Sequence, residues 1–105
     1  MPHMSQIDFP KHQQLTGSLG KWSEDPHRGS ISRTFLFEGF AQAFTFMTHM
    51  AFISERMDHH PEWLNVFDRV EVTLTSHDVA GLTPRDIEWA TLADSIYSRH
   101  RDAGT

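Results

Sequence analysis

Residues 40 to 57, FAQAFTFMTHMAFISERM, are apolar around more of a helix than one packing partner would cover. Phe40, Ala43, Phe44, Met47 and Ala51 recur at steps of three and four, and Phe46, Met50, Ile53 and Met57 form a second stripe on a neighbouring face. The pattern predicts a helix from Phe40 to Met57. An arc this wide is more than one sheet can bury, so part of it is expected to meet another subunit. Gly39 is an acceptable N-cap. Pro61 should stop the helix, with His60 pushed into extended backbone because the α region is disfavoured before proline.

Around this helix the other elements fall into place. DFPKHQQLTGSLG predicts a short helix from about Pro10 to Leu19, with proline in the first turn. KWSED reads as a short strand and PHRGS as a turn. SISRTFLF, rich in β-branched and aromatic residues, predicts a strand over Ile31 to Phe37. After Pro61 come EWLNVF and RVEVTLTS. In the second, Val70, Val72 and Leu74 alternate with Arg69, Glu71, Thr73 and Thr75, a strand with one face on the core. TPRD opens a last helix, from about Pro84 to Ser98, with Thr83 as N-cap and Asp86 three residues on. The order α-β-β-α-β-β-α predicts an α+β fold, a four-stranded antiparallel sheet with helices packed on one face.

At 105 residues the chain is read as a single domain, 1–105, with a modest core. Its net charge of −5 argues against direct binding to nucleic acid or an anionic membrane. The absence of cysteine excludes disulfides and thiolate chemistry. No apolar run approaches the roughly 18 residues needed to span a bilayer. MPHMSQ lacks the basic-then-apolar pattern of a signal peptide, so a cytoplasmic location is expected.

The chain has eight histidines, and ERMDHHPEW concentrates two of them. Glu55 and His59 are four residues apart, the spacing of one helix face, so a hydrogen bond between them is expected. His60 must point elsewhere. His77, in TSHD, follows a strand, with Ser76 and Asp78 placed to orient it. Three readings compete. The first is purely structural, with histidines favouring a helix C-terminus. The second is a metal site, but there is no HExxH and adjacent His59 and His60 do not easily reach one ion. The third is metal-free acid–base catalysis, because imidazole gives and takes protons near neutral pH. The absence of G-x-S-x-G and of glycine-rich phosphate loops argues against a serine hydrolase or nucleotide enzyme.

ERMDHHPEW, followed by NVFDRVEVTLTSHD and GLTPRD, closely resembles the pterin-4a-carbinolamine dehydratase family. The likeness extends back through FAQAFTFMT to KW and covers about residues 20 to 98. The resemblance implies the α+β fold already read, assembled as a homo-oligomer, with tetramer favoured over dimer. It implies removal of water from 4a-hydroxytetrahydropterin to give quinonoid dihydropterin, in support of an aromatic amino acid hydroxylase. His59 and His77 would be the acid and base, with Glu55 orienting or charging His59. His60, Pro61, Ser76, Asp78, Val79 and Trp22 match positions along the substrate site. No metal and no cofactor are implied, since the pterin is the substrate. Animal members also act as a dimerisation cofactor of a homeodomain transcription factor. A protein-binding or coactivator role through the helical face is therefore the alternative.

Overall fold

The computed structural model describes residues 19–76, 79 and 81–103. Four strands and two helices follow one another as β1 (Ser23–Asp25), β2 (Ser30–Leu36), α1 (Phe40–Met57), β3 (Glu62–Val66), β4 (Arg69–Leu74) and α2 (Pro84–Ala103). The strands form one antiparallel sheet in the order β1-β2-β4-β3. The α+β architecture read from the sequence is therefore the one observed. The helix expected over Pro10 to Leu19 falls, apart from Leu19, outside the described residues.

The alternation in β4 performs as its pattern dictates. Val70, Val72 and Leu74 are buried, while Arg69, Glu71 and Thr73 face the other way. On β2, Ile31 and Phe35 join them, and α1 lays Ala43, Phe46, Met50 and Ile53 on this layer. Helix α2 closes the core with Trp89, Ala90, Ala93 and Ile96. Fully burying a side chain of this kind stabilises the fold by roughly 1.5–3 kcal/mol. Phe46, Met50 and Ile53 of the second stripe are core, as is Ala43 of the first, whereas Phe40 and Phe44 of the first stripe stand 51% and 54% exposed and Phe52, in neither stripe, 71%.

Two local details position the site. The β1–β2 turn is held by the Gly29 amide on the Asp25 carbonyl (2.8 Å) and by the Arg28 amide on Asp25 Oδ1 (3.2 Å). Gly29 adopts φ 66°, a conformation that suits glycine. Helix α1 ends at Met57, as expected, but a cap at Asp58 ends it before Pro61 is reached. Asp58 takes the left-handed conformation (φ 50°, ψ 47°) and donates its amide to the Glu55 carbonyl, while the His59 amide returns to the Ser54 carbonyl (3.0 Å). This is the double hydrogen bond of a Schellman cap, with aspartate where glycine is usual. Helix α2 runs beyond the expected end at Ser98, to Ala103.

Candidate functional site

The Schellman cap swings His59 off the helix and into the protein. His59 is only 6% exposed, and its Nε2 lies 2.6 Å from Oδ1 of the fully buried Asp86. Asp86 is the third residue of α2, and its other oxygen accepts from Ser76 Oγ (2.9 Å) and from the Thr83 amide (2.9 Å). The Ser76 and Thr83 hydroxyls share a further hydrogen bond of 2.8 Å. The acceptor half of a capping box thus doubles as the seat of an imidazole. Every oxygen of this buried carboxylate is engaged, as burial of a charged or polar group requires.

The chemical consequence concerns the tautomer. A carboxylate accepts and does not donate, so it favours the proton on Nε2 of His59. Nδ1 is then the nitrogen left to take a proton.

The expected Glu55–His59 bond is not formed. Glu55 Oε2 lies 2.5 Å from Nε2 of His60 instead, and both side chains are largely exposed. The i, i+4 rule applies only while the backbone is helical, and the helix has ended at Met57 before His59 is reached. Ser76 is in the site, but its hydroxyl serves Asp86. Pro61 follows His60 into β3, and Val79 lies in the turn after β4, its amide on the Ser76 carbonyl (3.2 Å). His77 and Asp78 lie outside the described residues. Trp22 is buried in the core, its indole N–H on Asp94 Oδ1 (2.9 Å) and its ring edge-on to Phe35. Asp94 is eight residues beyond Asp86 on α2, about 12 Å along the helix. The structure therefore does not bring Trp22 into the network around His59.

Asp86 itself was visible in the sequence only as the acid three residues after Thr83. The signal that it does more is the apolar run after it: an acid that caps a buried helix start is itself buried, and then needs further donors. Among the described residues, no three histidine, aspartate or glutamate side chains converge as metal ligands.

Comparison with known proteins points to one family. The family model for pterin 4 alpha carbinolamine dehydratase matches residues 6–96. A protein of Burkholderia multivorans (strain ATCC 17616 / 249), assigned to that dehydratase by name only, is 48% identical over 85 residues, covering 81% of this chain and 83% of that one. One from Bradyrhizobium sp. (strain ORS 278), named in the same way, is 53% identical over 78 residues, covering 74% and 78%. A crystal structure from Brucella melitensis, titled a transcriptional coactivator/pterin dehydratase, superposes with a TM-score of 0.86 at 35% identity, over 89% of this chain and 99% of that one. A pterin dehydratase-like RuBisCO assembly factor of the alpha-carboxysome shares the fold, with a TM-score of 0.64 at 22% identity over 73% and 89%. A buried histidine–aspartate pair at the end of a four-stranded α+β sheet thus sits in a chain of pterin-dehydratase class. The chain belongs to the pterin-4a-carbinolamine dehydratase family.

Proposed function

We propose that this protein dehydrates 4a-hydroxytetrahydropterin to quinonoid dihydropterin by histidine acid–base catalysis. The observation that carries the reading is the buried His59–Asp86 pair, a ring whose orientation and tautomer are both constrained. Dehydration takes a proton from N5 of the pterin and delivers one to the 4a-hydroxyl, which leaves as water. The double bond to N5 forms as the C4a–O bond breaks. Each positioned acid or base contributes about 10²–10⁴ in rate. His59, through Nδ1, supplies one of these groups and His77 the other. His60, steadied by Glu55, borders the pterin with Pro61, Ser76, Asp78 and Val79. The proton transfers need neither metal nor cofactor, and the product would return to the pool that serves an aromatic amino acid hydroxylase in the cytoplasm.

The test follows the absorbance of enzymatically generated 4a-hydroxytetrahydropterin with and without the protein. Faster decay that is lost in His59→Ala and His77→Ala supports the proposal. No acceleration by folded wild-type protein rejects it.

A second reading has its own observation, the exposed Phe40, Phe44 and Phe52 on α1. We infer that this face packs against further copies of the chain, a tetramer rather than a dimer. The same face is the one a coactivator role would use to hold another protein.

A further inference from the structure

We infer that Ser54 and Trp89 are positioning residues, and that the hydrogen bond between them holds the His59 ring on Asp86 in the geometry an acid–base step needs. For the reaction this rests on the dehydratase reading; the coupling itself rests on the contacts. Trp89 Nε1 donates to Ser54 Oγ at 2.9 Å, across 35 positions of chain. Both residues are buried, Trp89 fully. Trp89 lies three residues after Asp86 on α2, about 4.5 Å along the helix axis. Ser54 lies five residues before His59, and its carbonyl accepts the His59 amide (3.0 Å). His59 Nε2 returns to Asp86 Oδ1 at 2.6 Å. Three hydrogen bonds and about one helical turn therefore close a ring of contacts, so a change at one link reaches the others.

The residue types fit this role better than simple filling of the core. Alanine is the better helix former at a buried helical position, and a buried hydroxyl needs partners. Ser54 has two, since its Oγ donates to the Met50 carbonyl (2.7 Å) and accepts from Trp89. Phenylalanine in place of Trp89 would bring an aromatic ring with no donor to satisfy. The indole also stands edge-on to Trp63 (6.3 Å), on β3, the strand that follows His59. Apolar contacts between α1 and α2 are non-directional and do not by themselves set how far one helix slides along the other. A hydrogen bond between side chains is directional and does. The setting matters because a displacement of about 1 Å can cost a reacting group most of its effect.

The experiment compares Trp89→Phe, Ser54→Ala and the double variant. Trp89→Phe removes the donor while Ser54 keeps its bond to Met50. Ser54→Ala strands a buried indole N–H, whereas the double variant removes both partners and should regain much of the lost stability. With 4a-hydroxytetrahydropterin, kcat should fall about tenfold in Trp89→Phe and stay low in the double variant, with KM within about twofold of wild type. The Nε2 proton of His59, observed by NMR and assigned by its loss in His59→Gln, should exchange with water about tenfold faster in both. If Ser54→Ala misfolds, the other two variants carry the test. A kcat that recovers with stability in the double variant, or an unchanged exchange rate, would reduce Ser54 and Trp89 to parts of the core and overturn their positioning role. The proton signal needs no turnover. A wild type inactive on the pterin therefore overturns the dehydratase reading, and the His59 signal still decides the coupling.

Discussion

Nε2 of His59 and Oδ1 of Asp86 meet at 2.6 Å inside the protein, although the two residues lie 27 positions apart in the chain. Asp86→Asn tests what the contact does. The Thr83 amide and Ser76 hydroxyl both donate to this side chain, so the amide oxygen of Asn must stay with them. Its NH₂ then faces His59 and favours the wrong tautomer. The dehydration rate should drop by about 10²–10⁴. Stability should fall by only about 1–3 kcal/mol, the range for a damaged buried hydrogen bond. Turnover by absorbance and urea unfolding separate the two effects, and an unchanged kcat would reduce Asp86 to a structural role.

Asp58 bears the cost of the left-handed cap that frees His59. An L-residue pays roughly 1–2 kcal/mol in that conformation. Asp58→Gly should therefore raise stability by up to about 1 kcal/mol, and Asp58→Val should lower it by more than that. Thermal melts of the two variants give the sign directly. A destabilised glycine variant would mean that the aspartate side chain makes a contact that outweighs the strain.

Phe44 and Phe52 are more than half exposed in the single chain. If further copies cover them, Phe44→Glu with Phe52→Glu should convert the oligomer to smaller species. The monomer's melting point should barely move, because neither ring is in the core. Light scattering coupled to size exclusion reads the mass. A wild type that is already monomeric would remove the basis for a covered face.

His100, near the end of α2, packs edge-on to Phe37 (6.3 Å) and to Phe46 of α1 (6.2 Å). Burial, and secondarily the nearby His49, hold its pKa below the ordinary 6.5. The folded state then binds this proton less readily than the unfolded chain. Its contribution to stability is complete above about pH 6.5 and is lost as the pH falls through the lower folded-state value. Urea midpoints measured from pH 8 to pH 5 should decline less steeply in His100→Gln than in wild type. Parallel slopes would show that His100 titrates the same way in both states.

Much of this fold is local and was legible as such. The period-two pattern of β4, the turn chemistry at Asp25–Gly29 and the capping box at Thr83–Asp86 each depend on neighbours a few residues away. The bounds of α1 agree with the structure at both ends, Phe40 and Met57. What the sequence could not settle is which side chain meets which. Glu55 and His59 have helical spacing, yet Glu55 holds His60, because the reversal at Asp58 ends the helix geometry on which the spacing rule depends. Trp22, expected near the site, is instead tied to Asp94 on the distant part of α2. The sequence alone determined the α+β class and the family. Only the tertiary structure decided that His59 answers to Asp86, since that pairing requires β3, β4 and α2 to converge at one end of the sheet, and no local periodicity encodes contacts between segments that far apart.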